Sequence, residues 1–474
     1  MTTDATLART PGDLAVPAAK QRLSGGMQRS YRPQHVQARN HRRFYVTTWA
    51  KFCTAFTAAS LWTALSVWLS LPWIRDLAHH ITLVPALLVV TFLAFVPGHL
   101  VSFLAAAVLL DRQPTLTVAR PTAAATVMIA ARNEAESIAA TLKYLADQDY
   151  DGALQVILVD NGSTDGTADI ARAAAAELGL DLTVLTETRP GKSHALDLGL
   201  QTITTDLTIT VDADTLLHRS AVRILVARME SSPSDVLAVA GNVQVRNSRQ
   251  NMWSRLQSWD YLLGIAAVKR VQGLFQSTLV AQGAFSLYRT DALRTAGGWP
   301  DAIGEDIVLT WHLMRVGRVF YEPLALSFTT APATLRSLTK QRSRWARGMI
   351  EGIRVVPPWR QRRPMALALT AVDLVIPLLD IAYVLIWLPG LVLACTGRFW
   401  IVGPMTVAVV PMTAFVYWLL YRYQDRHVLR PLGLSPRRDR RGLVLFLVAY
   451  QALMSAMSLL GYGQELLRMR RAWK

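Results

Sequence analysis

Long apolar runs occupy both ends of this 474-residue chain and leave its middle to ordinary globular patterning. They extend from about Thr47 to Ile74, from Leu83 to Leu110, and over 365–396, 400–421 and 442–462. A helix of about 20 apolar residues crosses the hydrocarbon core of a bilayer, and each run reaches that length. The middle of the chain must therefore fold between membrane segments. Trp49 and Trp73 lie near the ends of the first run, where aromatic anchors sit. Pro85 and Pro97 fall inside the second, and membrane helices tolerate them. Arg75, Asp76, His79 and His80 are read as a polar loop that turns residues 47–111 into a hairpin.

The formal net charge is +17, a value that suits a nucleic-acid partner as well as a membrane. Here much of the excess lies beside the apolar runs, so it is read as cytoplasmic anchoring on an anionic leaflet, with no nucleic acid. Residues 1–46 form the first basic block, a disordered arm carrying Arg9, Lys20, Arg22, Arg29, Arg32, Arg39, Arg42 and Arg43 against Asp4 and Asp13. The second block, between the last two runs, carries Arg422, Arg426, Arg430, Arg437, Arg438, Arg440 and Arg441. Three simple C-terminal spans then place Arg468, Arg470, Arg471 and Lys474 outside, against the positive-inside rule. A short interfacial or re-entrant segment near Val372 to Asp380 is one way out of the conflict, and Asp373, Pro377 and Asp380 there suggest a position facing protein or a cavity; the number of spans stays open at this point. Cys53 and Cys395 both lie in apolar runs, so no disulfide framework is available, as suits a cytoplasmic middle.

From about Thr126 the period changes. Short β-branched runs at 127–130, 155–159, 182–185 and 207–211 alternate with helical patterns near 134–146, 165–178, 192–203 and 218–230. That alternation predicts a parallel, Rossmann-like sheet whose ligands bind beyond the strand carboxyl ends. Residues 131–134 follow the first strand, and Asp160 to Thr167 follow the second, without the G-x-G-x-x-G of dinucleotide oxidoreductases. The fourth delivers Asp212-Ala213-Asp214. Two carboxylates one residue apart at a strand end suit a hard cation, Mg2+ or Mn2+, that also takes diphosphate oxygens.

Gly304-Glu305-Asp306 precedes a helical pattern of Val308, Trp311 and Leu313, so Asp306 gains from the helix N-terminus and can act as a base. Gln341-Arg342-Ser343-Arg344-Trp345 follows with two guanidinium forks suited to diphosphate and an indole suited to the apolar face of a sugar. Each half alone is plain: an acidic helix start, and a basic amphipathic helix on a membrane. Together they describe transfer of a sugar out of a nucleotide sugar.

Glu305-Asp306 with Gln341-x-x-Arg344-Trp345 resembles the signature of membrane-embedded family-2 glycosyltransferases, the synthases of cellulose, chitin, hyaluronan and poly-N-acetylglucosamine. The resemblance is strongest over 120–350. Phe320-Tyr321-Glu322-Pro323 and the 340–348 segment bring the chain nearest to the poly-N-acetylglucosamine synthases. It implies a GT-A-like α/β domain over 112–331, interface helices over 332–364 and a transmembrane bundle over 365–474. It assigns Ala131, Asn133, Glu134, Asp160, Lys192, Asp212, Gln341, Arg342 and Arg344 to the UDP-sugar, and Asp212 and Asp214 to the metal. Glu305 and Asp306 become catalytic, and Gln282, Gly283, Asp260 and Trp345 face the growing polysaccharide. Asp197 and Asp260 stand where the family has Asn and Glu, which leaves the role of Asp197 open. The implied setting is a bacterial cell membrane with a cytoplasmic catalytic domain, and a small membrane subunit is a further partner to test. Two rivals stand beside this reading: single transfer to a lipid, and a non-catalytic component of an exporter.

Overall fold

The computed structural model describes residues 46–435 and 439–469, the side chains of 404–410 excepted. The expected basic arm lies outside them apart from Val46, as do Arg437, Arg438, Arg470, Arg471 and Lys474.

The first four strands fall where the alternation places them: β1 Ala125–Ala131, β2 Leu154–Asp160, β3 Leu182–Thr186 and β4 Leu207–Val211. They pair in parallel, and the chain returns through helices Ile138–Ala146, Thr167–Leu178 and Lys192–Thr202. Covering on both faces explains the unbroken apolar runs, with Val127, Ile129 and Ile209 fully buried. The chain continues through β5 Leu216–Leu217, β6 Val236–Val245, β7 Phe285–Arg289 and β8 Arg318–Thr329. The sheet has eight strands in the order β3-β2-β1-β4-β7-β6-β8-β5.

This sheet is mixed, not parallel as expected, since β7 runs against both β4 and β6, and β5 against β8. The reason lies in the long helical stretch over 252–274 after β6. It leaves the chain at the carboxyl end of β4, where Phe285 pairs with Val211. A strand entering there must run against β4. The same route sets Gln282 and Gly283 beside the 212–214 turn.

Helices Thr48–Leu69, Leu83–Leu109, Pro364–Cys395 and Arg440–Leu466 are long and apolar enough to cross a membrane, and Pro404–Gln424 is a further helix of 21 residues. One expectation fails here, and one open alternative is narrowed. The polar link is a helix, Leu71–Ile81, which buries Ile74 and Leu77 while His80 stacks on Trp400 at 4.0 Å. Its polar residues mark one face of an amphipathic helix, not a loop. Nor is there a re-entrant break near Val372, which lies inside the Pro364–Cys395 helix. A carboxyl group inside an apolar helix is costly unless neighbouring groups bind it. Asp380 is bound, accepting from Ser455 Oγ at 2.6 Å and Tyr462 Oη at 2.7 Å on the Arg440–Leu466 helix.

The helix Leu335–Val355 joins sheet to membrane helices. Thr334 caps it, its Oγ1 accepting from the Ser337 amide. On one side it meets the Arg440–Leu466 helix at Gly461, where an added Cβ would stand 2.3 Å from the Ser343 carbonyl oxygen. Arg347 and Arg354 both reach the buried Glu465, at 3.5 and 2.9 Å. On the other side Gly348 lies against Gly304. A Cβ on Gly304 would fall 2.7 Å from the Gly348 Cα, so the two motifs approach backbone to backbone. Glu351 completes this joint by accepting from the Ile303 amide at 2.6 Å.

Candidate active site

The candidate residues gather beyond the carboxyl ends of β1, β2 and β4. Asn133 adopts a positive φ of 54°, which Asn tolerates better than most residues. In that conformation its Oδ1 accepts from the Thr164 amide at 2.9 Å, and its own amide donates to Ser163 Oγ at 3.0 Å. The Glu134 amide donates to Thr167 Oγ1 at 2.9 Å. These bonds join the two loops into one rim, from the buried Ala131 to the buried Asp160, whose Oδ1 accepts from the Ser163 amide at 3.3 Å. Asp165 takes the amide of Thr167 at the helix start, leaving Ser163 to bind Asn133.

Asn161 extends the rim. Its Nδ2 donates to the Arg189 carbonyl at 2.7 Å, and its Oδ1 accepts from the Gly191 amide at 2.9 Å. The loop it holds delivers Lys192, whose Nζ lies 2.5 Å from Asp212 Oδ1 and 3.9 Å from Glu305 Oε1. Gly283 backs this lysine, and a Cβ there would stand 2.6 Å from Nζ. Burial opposes the Lys192 charge, but Asp212, Glu305 and Asp306 more than offset it and raise its pKa. Burial first, then the Asp306 charge, pushes the Glu305 carboxyl well above the usual carboxylate range against the pull of Lys192 and Arg344.

Asp214 accepts from Thr329 Oγ1 on β8 at 3.1 Å. Its pKa is raised by burial and then by the charges of Asp212 and Glu134. Among the described residues no three His, Cys, Asp or Glu side chains form a metal-ligand group. Two hard carboxylates whose mutual repulsion a cation would relieve nonetheless fit a divalent ion that completes its shell from substrate.

Glu305 and Asp306 occupy the first turn of the helix Glu305–Met314, as expected, with Val308, Trp311 and Leu313 buried beneath. Asp306 Oδ1 accepts from the Ile307 amide at 2.9 Å, and its carbonyl accepts from Thr310 Oγ1 at 2.6 Å. Thr310 Oγ1 in turn accepts from the Ala281 amide at 2.9 Å, tying the 281–283 turn to this helix. Gln282 is held at both ends, its Oε1 accepting from the buried Lys269 and its Nε2 donating to the Gly241 carbonyl.

The Gln341–Trp345 segment divides. Arg344 is exposed, and its charge acts on Glu305. Arg342 is nine-tenths buried and donates from Nη2 to Asp260 Oδ2 at 2.8 Å, so its fork does not stand open as a sequence-based diphosphate clamp would. Its guanidinium lies 4.4 Å over the Trp345 ring, with Tyr261 tilted 6.4 Å away. Buried Gln341 Oε1 has no hydrogen-bond partner among the described residues.

Sequence reasoning missed Asn161, Lys269, Thr329 and Tyr450. Asn161 lay in a polar run read for Asp160, whereas Thr329 and Tyr450, whose Oη donates to Asp260 Oδ2 at 2.8 Å, meet their partners only through the fold. The structure also gives Asp197 a role, because its Oδ1 accepts from the Trp299 amide at 2.7 Å ahead of Gly304. Burial raises the Asp197 pKa, so an uncharged side chain with the same oxygen serves equally well. Asp197→Asn should leave the thermal midpoint in detergent unchanged. Asp197→Ala orphans the amide and should cost about 1–2 kcal/mol. An equal loss in both variants would sink the hydrogen-bond explanation.

Residues 121–348 match the family model described as "Glycosyltransferase like family 2". A poly-beta-1,6-N-acetyl-D-glucosamine synthase of Staphylococcus aureus (strain COL) is 33% identical over 225 residues, 47% of this chain and 54% of that protein. The synthase of the same name from Staphylococcus epidermidis is 31% identical over 223 residues, 47% of this chain and 53% of that one. The chain thus spans about half the length of these curated relatives. Among solved structures, a mannosyltransferase from Pyrobaculum calidifontis in complex with GDP-Man and Mn2+ shares the fold. Its TM-score is 0.55 at 21% identity, covering 81% of this chain and 99% of that one. Residues 121–348 are thus similar to the glycosyltransferase-like family 2, in a GT-A-like fold set between helices long enough to span a membrane.

Proposed function

We propose that this protein is an inverting, membrane-embedded glycosyltransferase that builds a β-linked polysaccharide from UDP-N-acetylglucosamine at a cytoplasmic site and passes it across the membrane. One observation carries the reading. The carboxylates and lysine at the strand ends are locked, through Gly304 on Gly348, to a helix that packs on a membrane-length helix. The layout follows: a transmembrane hairpin over 47–111, the catalytic domain over 112–331, the interface over 332–364 and the membrane bundle over 365–474.

In this reading the rim from Ala131 through Asn133 and Glu134 to Asp160 holds the uridine, while Lys192 and Arg344 face the diphosphate. Asp212 and Asp214 would hold Mg2+ or Mn2+, which supplies positive charge against the leaving diphosphate. Asp306 takes the proton of the acceptor hydroxyl as that oxygen bonds to the anomeric carbon. The bond to the diphosphate breaks on the opposite face, and UDP departs with its electron pair. Glu305, held by Lys192, keeps the helix start in place. Trp345 receives the acceptor sugar, and since Arg342 covers one face of the indole, at most one face is left for it.

The test uses the full chain in lipid vesicles with a panel of UDP-sugars and divalent cations, followed by sizing of the product. A long N-acetylglucosamine polymer is expected, while one sugar on a lipid, or no turnover, would overturn the polymerase reading. Trp345→Ala should cut polymer formation at least about tenfold, since truncating a Trp anchor at a binding surface costs about 2 kcal/mol or more. UDP-sugar hydrolysis, which takes water as acceptor, should change far less. Equal losses in both reactions would remove the acceptor role of Trp345.

A further inference from the structure

We propose that Tyr450 and Asp260 are positioning residues for the acceptor, acting through Arg342 to hold the Trp345 platform from the membrane side. This inference rests on the glycosyltransferase reading above.

Three elements far apart in sequence meet at one carboxylate oxygen. Asp260, in the 252–274 helical stretch, accepts at Oδ2 from Arg342 Nη2 and from Tyr450 Oη, each at 2.8 Å. Tyr450 belongs to the membrane-length helix Arg440–Leu466, at the end of a wide turn over Phe446–Tyr450. Its ring packs on Phe446 at 5.1 Å, and Phe446 stands edge-on to Tyr417 at 5.4 Å, so the hydroxyl is presented from a packed aromatic wall. Asp260 itself sits where the helical stretch widens at Asp260–Ile265. Such wide turns bring side chains to places a regular helix does not reach.

What the carboxylate holds is a flat cation over an indole. A guanidinium has five donors in a fixed plane, so fixing Nη2 at Asp260 fixes the tilt of the whole group over Trp345. Burial works against the Arg342 charge, but Asp260 and its neighbours more than offset it, so the group stays charged beneath the ring. Arg342 Nε is buried without a hydrogen-bond partner among the described residues, as is Gln341 Oε1. A buried donor and a buried acceptor on adjacent residues are costly unless something binds them. A sugar hydroxyl, which both donates and accepts, can satisfy either atom. The acceptor sugar is the ligand this chemistry recognises, with the indole at its apolar face and Gln341 or Arg342 at a hydroxyl. The diphosphate is a poorer match, because Asp260 already compensates the Arg342 charge.

The test is steady-state kinetics of the full chain in lipid nanodiscs, with UDP-N-acetylglucosamine as donor and a β-1,6-linked N-acetylglucosamine oligosaccharide as acceptor. Tyr450→Phe keeps the ring and its packing and removes only the hydroxyl. Arg342→Lys keeps the charge and loses the planar fork. Each should raise the acceptor KM by about tenfold, the size of one charge-assisted hydrogen bond or cation–π contact. In Tyr450→Phe the donor KM, the Kd for UDP and the rate of UDP-sugar hydrolysis should stay within about twofold, which also reports an intact fold. Asp260→Glu, which keeps the carboxylate, should recover more acceptor affinity than Asp260→Ala. A raised donor KM or UDP Kd in Arg342→Lys with the acceptor KM unchanged would make Arg342 a diphosphate ligand and overturn the proposal. A wild-type acceptor KM in Tyr450→Phe would overturn the part assigned to the membrane helix. Failure of the wild type to turn over any UDP-sugar refutes the reading beneath, and is distinguished by needing no variant at all.

Discussion

Asp306→Asn should abolish sugar transfer while UDP binds with nearly unchanged affinity. The substitution keeps the shape of the side chain and its Oδ1, so the hydrogen bond from the Ile307 amide at 2.9 Å survives, and with it the first turn of the helix. What disappears is the capacity to take a proton from an acceptor hydroxyl. Loss of a positioned general base costs roughly 10²–10⁴-fold in rate. Donor affinity should hold, because the rim over 131–134 and 160–167 is joined by its own hydrogen bonds and uses none from Asp306. A second readout follows from the electrostatics. After burial, the Asp306 charge is the larger of the effects that raise the Glu305 carboxyl. Removing it should lower the Glu305 pKa, visible as a shift of the carboxylate band in a pH-resolved infrared difference spectrum. Residual transfer near the wild-type rate, or lost UDP affinity with turnover retained, would sink the base assignment.

The parts of this architecture legible in the sequence are those a local pattern encodes. Strands covered on both faces must be apolar at consecutive positions, so β1, β2 and β4 announce themselves, and their carboxyl ends locate Asp160 and the Asp212–Asp214 pair. The acidic helix start at Glu305–Asp306 is local too, since it needs only the following Val308 and Trp311. Contacts made by folding are another matter. Asp260 lies 82 positions from Arg342 and 190 from Tyr450, and nothing in an apolar membrane run marks one tyrosine as the partner of a carboxylate. Thr329 reaches Asp214 across 115 positions, because β8 returns the chain beside β5. The same blindness explains Arg342. Its neighbourhood in sequence is basic and suggests an anion clamp, while its neighbourhood in space holds an acid, a tyrosine and an indole. The polar link at 75–80 misled for a related reason, since charged residues on one face of an amphipathic helix look like a loop when the buried Ile74 and Leu77 are not weighed.

Asp214→Ala should remove both activity and the dependence of UDP affinity on divalent cation. Two acidic groups one residue apart, with Glu134 acting on Asp214 from the rim, make a site whose charges repel until something positive enters. Lys192 already lies on Asp212, at 2.5 Å, which leaves Asp214, among the described residues, as the carboxylate without a cationic partner of its own, bound instead by the neutral hydroxyl of Thr329. Alanine at 214 leaves Asp212 and its lysine in place, so UDP should still bind through the rim but gain nothing from added Mg2+ or Mn2+. The loss in rate should be at least about 10²-fold, the scale for removing one element of a preorganised charge cluster. The raised pKa sets the sign of the pH effect. Burial and like charge favour the protonated carboxyl, so the ionised form of Asp214 costs stability without a cation, and that cost grows as pH rises through its elevated pKa. A cation binds only the ionised form. Cation binding should therefore release a proton, and the stimulation of UDP affinity by Mg2+ or Mn2+ should weaken as pH falls. Titration calorimetry in two buffers of different ionisation enthalpy measures that proton, and Asp214→Ala should abolish its release. If chelation leaves the wild-type rate unchanged, or if Asp214→Ala keeps the cation dependence, the carboxylate pair is not a metal site.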